Sequence, residues 1–201
     1  MLITARTAKG YALQGVDGPG GKVVEFYFDD RHWEIRYLIA DAGGWLARRR
    51  VLISSTSLRA VDAARKVVAV DMTKQQIRNG PPPDADAPVS RQLGAGRRDP
   101  HLRSTRDMSG HRVQAVDGEI GRIEDFVIDA EPWEIRQLVI NKRDRWPASR
   151  IMISPQWVER TNSTEANVFI NLRRDTVNRF PPFDKRALIQ EECAAGTRRR
   201  P

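Results

Sequence analysis

Apolar and polar positions alternate in short runs along most of the chain, and the pattern is cleanest between residues 111 and 172. His111 to Val116 is a short run with Val113 and Val116 as its apolar members. Asp117-Gly118 follows, a pair that tolerates positive φ and marks a hairpin turn between apolar runs. Ile120 to Asp129 is long and rich in β-branched residues, so it predicts a strand, with Gly121 marking a bulge or tight bend inside it. Glu131-Pro132 predicts the next turn. Trp133 to Asn141 then predicts a strand with Trp133, Ile135 and Val139 on one face and Glu134 and Arg136 on the other. After a polar turn, Arg150 to Ser154 is a short apolar run. Trp157-Val158-Glu159 and Asn167 to Leu172 predict two further strands. Asn171 is placed to cap a short helix over Leu172 to Asn178, which Pro181-Pro182 ends. Another helix is expected from Asp184 through Glu192, stopping at Gly196.

The same pattern occurs twice. Adding 100 to the residue number lays the first half on the second without a gap. Val16-Asp17-Gly18 meets Val116-Asp117-Gly118, and Gly21 meets Gly121. Phe26 meets Phe126, and Asp29 meets Asp129. Trp33-Glu34-Ile35-Arg36 meets Trp133-Glu134-Ile135-Arg136, and Pro81-Pro82 meets Pro181-Pro182. A gapless match with glycines and tryptophans in register indicates an internal duplication. The resulting organisation is a first unit at 1–80, a linker at 81–107, a second unit at 108–183, and a C-terminal helix with a basic tail at 184–201. The linker carries Pro81-Pro82-Pro83, Pro88, Gly94, Gly96 and Pro100, a composition that predicts a partly extended, partly flexible connection. Five or six short strands with frequent turns in each unit predict an all-β fold of two tandem small barrels, each with a short terminal helix.

Composition narrows the class. With 40% apolar and 30% charged residues in 201, the chain is globular rather than disordered. The net charge of +8 favours an anionic partner. The basic residues gather in the first unit and in Arg198-Arg199-Arg200, but no long stretch is purely basic, and a mixed solvated surface with a basic tail is the simpler reading. One cysteine, Cys193, cannot form an intrachain disulfide, so a reducing, cytoplasmic setting is expected. The N-terminus lacks the apolar stretch of a signal peptide, and no window approaches a membrane span.

No chemistry-bearing motif stands out. His32, His101 and His111 lack the spacing of a metal site. Asp29-Asp30 and Glu124-Asp125 are neighbours on strands, so their side chains point to opposite faces rather than across a cleft. Gly18-Pro19-Gly20-Gly21 opens a strand, not the helix a phosphate loop requires. The Glu34/Arg36 and Glu134/Arg136 pairs each sit on one strand face. They are either surface pairs worth well under ~1 kcal/mol or a docking surface used by both copies. Trp33 and Trp133 are expected to fill two separate cores. Trp45, Trp146 and Trp157, not all matched between the copies, are candidates for the interface between copies or for a partner site. The candidate interaction residues are therefore Glu34, Arg36, Glu134, Arg136, Trp157, Arg198, Arg199 and Arg200.

The order of these features resembles the PRC-barrel. The resemblance rests on Gly10 and Gly110, the Asp-Gly turn followed by Gly21 and Gly121, and the Phe-x-x-Asp stretches at Phe26–Asp29 and Phe126–Asp129. The tryptophan-led strands, the short strands ending at Ser54 and Ser154, and the closing Pro-Pro complete it. PRC-barrels form the cytoplasmic part of the photosynthetic reaction-centre H subunit and the C-terminal half of the ribosome maturation factor RimM. The resemblance implies a small β-barrel serving as an interaction or assembly module, not an enzyme, with no cofactor. The expected partner is a protein, met by two barrels that pack together or dock side by side, giving a pseudo-twofold surface. An RNA- or ribosome-associated role, using the basic first copy and the arginine tail, is the alternative, and a homo-oligomer is a further arrangement to test.

Overall fold

A computed structural model describes residues 1–43, 48–92, 99–142 and 149–184. The helix expected beyond Asp184, the Arg198–Arg200 tail, Cys193, Trp45 and Trp146 lie outside the described residues.

The first half runs β1 (Leu2–Thr4), α1 (Ala5–Ala8), β2 (Ala12–Gly15), β3 (Gly18–Asp29), β4 (Ile35–Asp41), β5 (Arg50–Ser54), β6 (Leu58–Asp62), β7 (Val67–Val70) and α2 (Lys74–Arg78). The second half repeats it. It runs β8 (Leu102–Ser104), α3 (Thr105–Met108), β9 (Arg112–Ala115), β10 (Gly118–Asp129), β11 (Glu134–Lys142), β12 (Ser149–Ile153), β13 (Val158–Asn162), β14 (Asn167–Ile170) and α4 (Arg174–Asn178). The fold is mostly β, in two curled seven-stranded sheets. Six strands of each follow the orders β5-β4-β3-β2-β7-β6 and β12-β11-β10-β9-β14-β13. The β2/β7 and β9/β14 pairs are parallel, and the other pairs are antiparallel.

The turn and bulge residues act as the sequence predicts. Val16-Asp17 and Val116-Asp117 form the hairpin loops before Gly18 and Gly118. Asp17 Oδ1 accepts the backbone N–H of Lys74 at 2.7 Å, and Asp117 Oδ1 that of Arg174 at 2.8 Å. Each hairpin loop thus satisfies a donor in the first turn of its own terminal helix. Gly21 and Gly121 lie at register shifts with φ of 151° and 152°. A Cβ there would stand 2.5 Å from the Asp41 carbonyl oxygen and 2.2 Å from that of Asn141, so only glycine fits.

A second irregularity corrects the predicted strand faces. Val127 pairs with Gln137 but Ile128 with Ile135, which leaves Arg136 as an extra residue; Arg36 is its counterpart between Tyr37 and Ile35. Each insertion flips the alternation beyond it. Ile135, Leu138 and Ile140 therefore face the main core, while Val139 turns to a small outer cluster with Val127. The helix starts also differ. Asp71 and Asn171 remain tied by their N–H groups to Ser57 and Trp157 carbonyls, so α2 and α4 begin only at residues 74 and 174. Thr73 forms a capping box with Gln76, whereas Arg173 at the matching position offers no cap. Trp157 ends a turn of 3-10 helix at Pro155–Trp157 instead of opening β13.

The seventh strand of each sheet comes from the other half. β1 pairs with β10, with Ile3 opposite Ile128, and β8 pairs with β3, with Arg103 opposite Phe28. On β3, residues 18–22 are covered by β2, and β8 continues along 27–29. The segment 81–107, predicted as a partly extended, partly flexible linker, therefore contains a sheet strand, β8, and the start of α3. It also forms 3-10 turns at Pro83–Asp86 and Val89–Arg91. Trp33 and Trp133 adopt left-handed backbone conformations, with φ of 61° and 56°, costly for so bulky a side chain. Their carbonyls accept the N–H groups of Ile135 and Ile35, each at 2.7 Å, and Glu34 and Glu134 face each other in an antiparallel bridge. The expectation of two separate cores gives way to one. Phe28 stacks on Trp33 and meets Phe126 at 5.6 Å, and Phe26 meets Trp133 at 6.2 Å. All five belong to one continuous apolar cluster.

Candidate functional site

The exchanged strands carry their helices with them. α1, which follows β1, sits on the second sheet, and α3, which follows β8, sits on the first. Beside them a groove crosses the pseudo-twofold axis that relates the halves. Its first end is a cleft of about 710 Å³ lined by Lys9, Lys22, Arg48, Arg50 and Arg106, with Asp41 as its acid. Its middle, about 220 Å³, runs between Arg6, Lys9, Val24, Arg106 and Glu124. Its far end, about 400 Å³, is lined by Arg6, Arg122, Glu124 and Asn141.

The two ends are built on equivalent positions but differ in charge. In the second half, Glu124 lies between two arginines. Arg6 Nη1 donates to Oε1 at 3.0 Å and Arg150 Nε to Oε2 at 2.7 Å, while Arg6 Nη2 reaches the Glu124 carbonyl at 2.8 Å. Burial pushes the Glu124 carboxyl up, but the hydrogen bonds and charges of Arg150 and Arg6 outweigh it and hold the group below the ordinary glutamate range. The first half keeps the arginines, as Arg106 and Arg50, but has Val24 in place of the glutamate. Asp41 does not substitute for it, because its Oδ1 already accepts the N–H groups of Gly43 and Arg49. Among the described residues, Lys9, Lys22, Arg50 and Arg106 have no ion-pair partner.

Two further polar clusters stabilise the first half. Arg91, from the linker, binds the buried Glu25 through its Nη1 and Nη2 nitrogens, at 3.2 and 3.0 Å, and also reaches Asp107 and the Tyr27 hydroxyl. Burial pushes the Tyr27 phenol up to about 12, against the lowering effect of the Arg91 charge. At the junction of the halves, Asp30 is ion-paired with Arg103 at 2.8 Å, lies 2.9 Å from His101 Nδ1, and accepts from the Thr161 hydroxyl of the other half. His111 is buried, its Nε2 has no hydrogen-bond partner among the described residues, and burial lowers its pKa. No three His, Cys, Asp or Glu side chains among the described residues are grouped to hold a metal ion.

The sequence-derived candidates separate into three places. The bridge between Glu34 and Glu134 brings the Glu34/Arg36 and Glu134/Arg136 pairs to the junction of the halves. Arg136 pairs with Glu134 at 2.8 Å and with Asp129 at 3.6 Å; Arg36 reaches Asp29 at 3.8 Å. Trp157 lies apart from them, 38% exposed. Arg198, Arg199 and Arg200 lie outside the described residues. The groove residues escaped the sequence reading because each is an ordinary exposed cation. The signal that exposes them is a mismatch of charge at the repeat offset, Val24 against Glu124, with Lys9 against Ser109 beside it. Arg91 has no counterpart in the repeat and gave no signal within a proline- and glycine-rich stretch.

No helix among the described residues is long and apolar enough to cross a membrane. No curated protein matches the chain. The family model for the PRC-barrel domain matches residues 15–77, which span β3 to β7, the hairpin before them and most of α2. The chain carries a PRC-barrel domain in its first half, a small β-barrel module of the kind often used for interaction.

Proposed function

We propose that the chain is a non-enzymatic interaction or assembly module of the cytoplasm, in which the second half is a further PRC-barrel unit locked to the first. The observation that carries this reading is the groove across the pseudo-twofold axis, set on a frame that strand exchange holds together. Such a frame offers a partner a surface whose two ends share geometry but not charge. A rigid, prepared surface loses little conformational entropy when it binds. Trp157 and the Glu34/Arg36 and Glu134/Arg136 cluster are secondary contact candidates on the same body.

Affinity capture from native lysate with the full chain, with and without nuclease, tests the reading. Discrete protein partners that survive nuclease support it. Their disappearance on nuclease treatment would instead favour the RNA-associated alternative, and that binding should then weaken steeply with added salt.

A further inference from the structure

The second half shows what the first half lacks. Arg6 and Arg150 are held by a carboxylate that the same chain supplies, Glu124. Arg106 and Arg50 occupy the matching positions around Val24, joined there by Lys9 and Lys22. The backbone under the two sites is the same, with β3 and β10 bulged at equivalent glycines and paired to β4 and β11 in the same register. We propose that the first-half end of the groove is a docking site for an acidic segment of a partner protein, with one partner carboxylate seated between Arg50 and Arg106, where Glu124 sits in the other half. This rests on the interaction reading above and names the chemistry of its partner.

Three observations converge on this occupant. The cleft is open and large enough for several side chains, at about 710 Å³. Its cations outnumber the one acid that lines it, and that acid is engaged with its own loop. The chain itself contains the bound form, a carboxylate between two guanidinium groups, which is a favourable charge-assisted geometry. The apolar Val24 also suits a peptide better than a free ion. It is half-buried against the small apolar cluster of Tyr27, Ile39, Leu52 and Leu102 and offers a surface for the stem of an incoming glutamate.

The symmetry supplies the test. Val24→Glu gives the first half its own carboxylate and should close the site from within. Glu124→Val should free Arg6 and Arg150 and open a second site. The probe is a fluorescein-labelled peptide of alternating glutamate and serine, titrated into the full chain at low salt, with a single-stranded RNA oligonucleotide of equal charge as the competing arm. The expected result is one peptide per wild-type chain, a loss of about tenfold or more in affinity for Val24→Glu, a clearly smaller loss for Val24→Ala, which trims the apolar surface but adds no carboxylate, and two peptides per chain for Glu124→Val. Thermal melting reports whether each variant folds, and the gain of a second site by Glu124→Val stands as the test if Val24→Glu does not. Undiminished peptide binding by folded Val24→Glu, preference for the RNA, or no peptide binding at all would overturn the proposal. If nuclease-resistant partners are still captured in that case, the interaction reading survives without this site.

Discussion

The two sides of the junction between the halves solve one packing problem with opposite chemistry. On one side Asp30, Arg103 and Thr161 form a closed polar cluster, joined by His101. The equivalent residues on the other side are Ala130, Ile3 and Val61, all part of the apolar cluster or packed against it. The backbone pairing around both is the same, with Arg103 opposite Phe28 and Ile3 opposite Ile128. Strand exchange therefore does not depend on the side chains at this position. The backbone ladder and the shared aromatic core hold the halves together, and the junction side chains have been free to diverge as long as each set satisfies itself.

The largest expected effect breaks the polar side alone. Asp30→Ala leaves the Arg103 guanidinium, whose side chain is 9% exposed, without its carboxylate, and should cost roughly 3–5 kcal/mol of unfolding free energy by denaturant titration. Replacing Asp30, Arg103 and Thr161 together by Ala, Ile and Val copies the apolar side and should recover most of that loss. Failure of the triple variant to recover would show that the two sides are not interchangeable.

A smaller effect separates the terminal helices. Thr73→Ala removes a capping box and should cost about 1 kcal/mol, while Arg173→Thr supplies a missing cap and should stabilise by somewhat less. Equal and negligible shifts in both would mean that the Asp17 and Asp117 bonds already do all the capping.

The smallest effect is one of pH. Burial lowers the pKa of His111, so the unfolded chain binds a proton more readily than the folded one as pH falls below about 6.5. Stability should be full above that pH and decline below it. His111→Tyr, which copies Tyr11 of the first half, should flatten that part of the melting-temperature profile. An unchanged slope would place the acid sensitivity elsewhere.

Much of this architecture was legible in the residues, because its determinants are local. Gly21 and Gly121, the Asp17 and Asp117 hairpins and the β-branched runs act within a few residues of themselves. The strand exchange was not legible. Leu2–Thr4 and Leu102–Ser104 are three-residue strands whose pattern does not say which sheet they join. The inserted Arg36 and Arg136 were also hidden, since a bulge breaks the two-residue period on which the face assignment relied. At the groove, the repeat itself held the information in the Val24/Glu124 mismatch, but its meaning required knowing that Arg6, on α1 beside the exchanged β1, and Arg150, on β12, converge on Glu124.

Reciprocal exchange of β1 and β8 makes stability indivisible between the halves. Melting either sheet would strip an edge from the other and open their common aromatic cluster to water. Heat or denaturant should therefore take the chain apart in one cooperative step. A half-folded form, with the end of β3 or β10 left bare as a template for aggregation, would have no window in which to accumulate.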